Sequence, residues 1–267
     1  MKTLAIRDSS NDGFYNMAAD ICSAKMIETG KASAIFRTYT WQPHCLSIGR
    51  FQKPEKEADM ARILADGYHI VRRPTGGRAV WHGDELTYCL TASVDHPLVR
   101  GGISESLGRV ASILVSALRA VGVPGEMNSR ERELSRAGRG FNPCFTSHGR
   151  FEIMTPDGRK MVGSAQARIR GVFMEHGSIL LTNQQTMAVD YMPAGTDPLA
   201  AGEMRSILKR SVGTIREYQP AITADHLSNA LHSSFADSVP IPPEGFPSEE
   251  LPGLEEAIIE RRSIVEG

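Results

Sequence analysis

The spacing of apolar residues along the chain alternates between short strand-like runs and helical patterns. Residues 4–7 read as a strand. Asp12 follows as a helix N-cap, with Phe14, Met17, Ala18, Ile21 and Cys22 at helical spacing behind it. Residues 34–39 and 45–48 are strand-like, and the spacing predicts a helix over 56–65, after Pro54. Residues 69–72, 79–81 and 86–92 read as strands around a turn at Pro74-Thr75-Gly76-Gly77. The clearest helix is 103–121, with Leu107, Val110, Ile113, Leu114 and Leu118 on one face.

Beyond it, 122–142 is polar and rich in Gly and Arg, which reads as a long surface loop of the kind that often carries function. Residues 151–154 and 159–162 flank Thr155-Pro156-Asp157-Gly158, a hairpin signal, and 172–181 adds a strand. Helical patterns return over 201–209, 224–235 and 249–262, the last after Pro240-Ile241-Pro242-Pro243. Up to residue 181 the pattern reads as a mixed or antiparallel sheet with helices packed against it, which predicts an α+β fold rather than a doubly wound parallel one.

With 267 residues, the chain suits one large domain, or one with a small appendage. The division expected is a catalytic unit over 1–205 and a small helical extension over 206–267 packed on it. A composition of 41% hydrophobic and 23% charged residues excludes disordered and fibrous classes. The net charge of −1 argues against a nucleic-acid binder. No apolar run is long enough for a signal peptide or membrane span, and Cys22, Cys45, Cys89 and Cys144 have no zinc-like spacing. A cytoplasmic protein with free thiols is expected. Charge is uneven: residues 237–267 carry eight acidic and two basic residues, while 130–170 carry nine basic and four acidic. The latter is either a solvated surface or a positive face for acidic partners.

Three segments could carry chemistry. In Arg72-Arg73-Pro74-Thr75-Gly76-Gly77-Arg78 the glycines permit close backbone approach and the arginines can form an anion-attracting rim; the bland reading is a tight turn. In Lys160-Met161-Val162-Gly163-Ser164-Ala165 the lysine either enters a cleft or stays solvated beside a turn. Cys144, in Asn142-Pro143-Cys144-Phe145, is either a small buried hydrophobe or a nucleophile.

Taken together, these segments resemble the lipoate–protein ligase and octanoyltransferase family, whose core fold is shared with biotin protein ligases. The resemblance rests on Arg72-Arg73-x-Thr75-Gly76-Gly77 followed by Ala79-Val80-x-His82, on Asn16-Met17-Ala18-x-Asp20, on Lys160 with Gly163-Ser164-Ala165, and on His176-Gly177-Ser178-Ile179-Leu180-Leu181. It covers roughly residues 1–205. The Pro-Cys-Phe before the hairpin looks like the cysteine-dependent octanoyltransferase branch. That branch moves an octanoyl group from acyl carrier protein to a lysine of a lipoyl-accepting protein, commonly the glycine cleavage H protein or another lipoyl domain.

The resemblance implies Cys144 as the thioester-forming nucleophile and Lys160 as the residue lowering its pKa. Arg72, Arg73, Gly76, Gly77, Arg78, His82, Gly163, Ser164 and Ala165 are expected to bind substrate, with no metal and no ATP. His82 either lines the acyl pocket or bonds within its loop, and His176 is read as structural. Val80, Trp81 and Val162 are candidate pocket walls that could equally be core. The rival readings are an ATP-dependent lipoate–protein ligase and a lipoyl amidotransferase. A non-enzymatic acyl-binding module is opposed by the presence of both Cys144 and Lys160.

Overall fold

The computed structural model describes residues 2–128, 145 and 151–266. In chain order the strands are β1 (Thr3–Asn11), β2 (Ala34–Trp41), β3 (Cys45–Ile48), β4 (His69–Arg72), β5 (Val80–His82), β6 (Glu85–Ser93), β7 (Glu126–Met127), β8 (Ile153–Met154), β9 (Lys160–Ile169), β10 (Val172–Leu180) and β11 (Glu244–Gly245). The helices are α1 (Gly13–Glu28), α2 (Pro54–Glu57), α3 (Met60–Ala65), α4 (Ile103–Ala120), α5 (Pro198–Ser211), α6 (Ala224–Asp237) and α7 (Leu254–Glu266).

Among the described residues, eight strands form one mixed sheet in the order β11-β1-β2-β6-β10-β9-β8-β7. β1 runs parallel to β2 and β11, and the remaining neighbours are antiparallel. A second sheet, β4-β3-β5, stands beside it. This is the expected α+β architecture.

The period of two along β2 sorts its side chains between two helical layers. Phe36 faces a core with Leu86, Tyr88 and Leu90 of β6, Val110 and Leu114 of α4, and Leu231 and Phe235 of α6. Ile35 faces the other way, into a core with Ala18 and Cys22 of α1 and Leu254 and Ala257 of α7. Residues beyond 205 therefore enter both cores, and β11 lengthens the sheet at β1.

Asp12 caps α1 as its spacing predicts, its Oδ1 accepting from the Tyr15 N–H at 2.8 Å. The helix expected over 56–65 is broken in two. Ala58 is extended, and Asp59 starts α3 afresh by accepting from the Arg62 N–H at 3.1 Å. Asp is a better cap than helix-interior residue, so the break follows from its side chain. The 155–158 turn does join β8 to β9, with Gly158 at φ 82°. β9 then continues seven residues beyond the predicted 162, because it pairs with β10 from Val162 to Ile169. Of the polar segment 122–142, residues up to 128 include the short strand β7, and 129–142 lie outside the described residues. No described helix is long and apolar enough to cross a membrane.

Candidate active site

The loop 73–78 joins β4 to β5 within the small sheet. Arg73 is buried and supports this loop from within. Its guanidinium donates to the Ser47 carbonyl at 3.1 Å, to the Gly76 carbonyl at 2.9 Å and to the Arg78 carbonyl at 2.6 Å. Arg72 donates to the carbonyls of Gly49, Arg50 and Gln52, tying down the neighbouring turn. Arg78 is half-buried, and Gly76 carries the carbonyl that Arg73 holds. Gly77 adopts φ 93°, a conformation open to glycine, and a Cβ there would lie 2.9 Å from Nη2 of Arg73. The same point lies 3.8 Å from Cβ of Ala165, so the loop rests over β9. Gly49 is equally required, since a Cβ there would overlap the Gly77 carbonyl oxygen.

Thr75 connects this loop to the protein interior. Its hydroxyl pairs with Nε2 of His176 at 2.5 Å, and Nδ1 of His176 lies 3.3 Å from Asp20 Oδ2. Burial keeps the His176 pKa low, although Asp20 opposes it. A neutral ring then donates from Nδ1 to Asp20 and accepts the Thr75 hydroxyl proton at Nε2. Burial by itself would raise the Asp20 pKa; the His176 bond and the charge of Arg37 outweigh it and hold the carboxyl low. Arg37 also pairs with Asp8 at 2.6 Å, and Tyr39 donates to Asp20 at 2.9 Å.

His82 belongs to a second buried network. Its Nδ1 meets Glu85 at 2.7 Å, its Nε2 meets Ser47 at 2.7 Å, and its ring stacks on Trp41 at 4.0 Å. The Trp41 indole donates to Thr87, whose hydroxyl donates to Glu85.

Between these networks lies a cavity of about 370 Å³, its open mouth included. Met17, Tyr39, Trp41 and Val80 supply apolar wall; Arg73, His82 and His176 supply polar groups. Gly163, Ser164 and Ala165 of β9 line it as well. Ser164 Oγ lies 2.8 Å from the Tyr88 hydroxyl, which donates to the fully buried Glu175. Burial pushes the Glu175 pKa up to about 8, against the Tyr88 bond. Trp81 does not reach the cavity; it stacks on Tyr191 in a separate core. Val162 is packed in the main core. Sequence reading missed Met17, Tyr39 and Trp41, although the alternation along β2 puts Tyr39 and Trp41 on the face that α1 covers.

Lys160 is buried at 1% exposure, with Nζ 2.5 Å from Glu152 Oε1 and 5.3 Å from the centre of the Phe145 ring. Phe145 is fully buried, and a Cβ at Gly163 would lie 2.9 Å from its ring. Glycine at 163 therefore lets the tip of this ring come close to β9. Cys144 lies outside the described residues. The cysteines that are described, Cys22, Cys45 and Cys89, are buried thiols, and burial pushes each of their pKa values up.

Residues 12–236 match the lipoyl protein ligase A/B catalytic domain. An octanoyltransferase LipM from Moorella thermoacetica is 43% identical over 69% of this chain and 67% of its own length. One from Macrococcus caseolyticus is 31% identical over 89% of this chain and 87% of its own. Among solved structures, a bipartite lipoate protein ligase from Thermoplasma acidophilum superposes with a TM-score of 0.73 at 20% identity, covering 100% of this chain and 92% of that one. Lipoate-protein ligase A bound with ATP gives 0.73 at 20% identity, covering 99% and 94%. These two establish the shared fold. By the extent of the domain match and the identity to its relatives, the chain belongs to the lipoyl protein ligase A/B catalytic domain family.

Proposed function

We propose that this protein is an octanoyltransferase of lipoate biosynthesis, passing octanoyl from octanoyl-acyl carrier protein through a thioester on Cys144 to a lysine of a lipoyl-accepting protein, the glycine cleavage H protein or another lipoyl domain. The relatives named octanoyltransferase support the activity. The observation that carries the assignment of residues is the seat of Phe145. This residue, next in sequence to Cys144, has its ring against Gly163 and beside the Lys160 ammonium.

An ordinary thiol of pKa near 8.5 is only about 3% thiolate at pH 7, and the thiolate is the nucleophile. A lysine ammonium has three N–H donors, so Lys160 can serve Glu152 and a thiolate together. In the first half-reaction the Cys144 sulfur bonds to the acyl carbon, the carrier's C–S bond breaks, and the departing thiolate takes a proton. Lys160 is suited to supply that proton. In the second, the neutral amine of the acceptor lysine attacks, an amide forms, and the Cys144 thiolate leaves while the amine proton passes to a base. Thioester exchange is nearly balanced and amide formation is downhill, so ATP is not consumed. The apolar cavity wall of Met17, Tyr39, Trp41 and Val80 suits the octanoyl chain. Arg72 and Arg73 act here by shaping the loop that carries Gly76 and Gly77, whose N–H groups and those of Gly163-Ser164 are the candidate oxyanion donors.

Mixing the protein with octanoyl-acyl carrier protein without ATP, and weighing it intact, tests this reading. The expected result is a gain of one octanoyl group that hydroxylamine removes and Cys144→Ala lacks. Lys160→Met should form the adduct about 100-fold or more slowly. No adduct on the native protein, with activity appearing only on addition of ATP and free lipoate, would favour the ligase reading.

A further inference from the structure

A groove lies next to the cavity on the same face of the sheet. Along α1, Met17 lines the cavity, and Ile21, Ala24 and Glu28 line the groove at spacings of four, three and four residues. On β10, His176 lines the cavity and Met174 and Val172 the groove, every second residue. On β9, Ala165 is followed in the same way by Ala167 and Ile169. Side chains two apart on a strand share a face, so the two spaces are in line. Arg50 and Pro74 line the groove beside the glycine loop, and the Arg50 N–H donates to the Thr75 carbonyl at 2.9 Å. The groove holds about 860 Å³, counting its open side.

Its floor is apolar and its rim is cationic. Lys25, Arg50 and Arg170 are exposed at the rim, opposed by Glu28 alone. Arg170 sits at φ 51° and is followed by Gly171 at φ 79°. A β-turn with two such residues favours Asn or Gly at the first of them. An arginine held there, 80% exposed and only loosely paired with Glu28 at 3.9 Å, points to a use for its charge. Phe51, 85% exposed beside Arg50, adds an aromatic contact at the same end.

We infer that this groove is the docking surface of the acyl donor, an acidic carrier protein whose thioester is borne on a phosphorylated arm. The inference rests on the octanoyltransferase reading and adds where the donor sits. An acceptor lysine is short and carries no phosphate, so it needs only the mouth of the cavity. A donor arm needs a path with an apolar floor, a cation for its phosphodiester and a positive rim for the carrier itself. Lys25, Arg50 and Arg170 supply these, and opposite charge across such a rim acts mainly on encounter and on salt dependence.

The test compares two donors, octanoyl-carrier protein and octanoyl-N-acetylcysteamine, a thioester with neither phosphate nor protein. Lys25→Glu combined with Arg170→Asn should raise the KM for the carrier about tenfold, flatten its salt dependence and leave kcat within about twofold. Glu28→Lys should lower that KM about threefold, which no folding defect would imitate. Both variants should use the small thioester as the native protein does. Fluorescence anisotropy of labelled octanoyl-carrier protein should follow the KM changes without turnover. Equal losses with both donors, unchanged carrier binding, or a change in acceptor KM instead would overturn the inference while leaving the octanoyltransferase reading intact. A native protein that accepts octanoyl from neither donor would sink both.

Discussion

Replacing Arg37 with Met tests how the interior supports the site. Arg37 is 1% exposed and holds Asp8 at 2.6 Å, Asp20 at 2.8 Å, and the carbonyl and side-chain oxygens of Asn16 at 3.1 and 2.8 Å. Its removal leaves two carboxylates in a low-dielectric interior, and breaking a buried pair from one side costs about 3–5 kcal/mol. Domains of this size lose roughly 2–4 °C per kcal/mol, so the melting temperature should fall by about 6–20 °C. The cost should depend on pH. The Asp20 carboxyl is held below its ordinary 3.8, so its contribution is present above that value and fades as pH falls through the folded pKa. Arg37→Met should therefore lose most at pH 7 and less toward pH 3. Asp20→Asn with Arg37→Met should be less damaging than the sum of the two, because one of the two stranded charges is gone. Urea unfolding at several pH values, read as a double-mutant cycle, measures each quantity. A loss under about 1 kcal/mol at pH 7, or strict additivity, would refute the reasoning.

Other perturbations probe the loop, the cavity and the buried acid. Gly77→Ala places a Cβ at φ 93° and 2.9 Å from Arg73, so it should lower stability by about 1 kcal/mol or more and acyl transfer by about tenfold or more, measured by unfolding and by the intact-mass assay. Trp41→Ala opens the cavity wall beside His82, costing about 3–5 kcal/mol and shifting chain-length preference above octanoyl in a competition among acyl donors. Glu175, pushed up to about 8 by burial, contributes fully below its ordinary 4.5, and that contribution is lost as pH rises from there through about 8. Glu175→Gln should thus be more stable than the native protein at pH 9 and show a flatter stability profile between pH 5 and 9; an unchanged profile would count against a buried carboxyl of that character.

Much of the architecture is legible in the local pattern. Asp12 announces α1, the Pro-Asp-Gly turn announces the β8–β9 hairpin, and the stripe on 103–121 announces α4, because capping, turn chemistry and amphipathicity act within a few residues. The break at Asp59 was as local but was hidden by an apolar spacing that continues across it. The glycine loop, Lys160 and the Gly163-Ser164-Ala165 run could be singled out as chemistry-bearing residues, and their motifs point to one family.

Their functions within the site were set by contacts between distant positions. Arg72 and Arg73 carry charge in the sequence, yet their guanidiniums bind backbone carbonyls 20 or more residues away as well as nearby. His176 reaches Thr75 across 101 residues and Asp20 across 156. The partner of Lys160, Glu152, lies across a hairpin, and whether it would face Lys160 depended on register at the β8–β9 bulge. The residue types and their order specify which elements form and which chemistry is available. Which charges are buried, which rings wall the cavity and which cations remain at its rim are properties of the packed sheet, because pKa and exposure depend on neighbours that only the tertiary fold brings together.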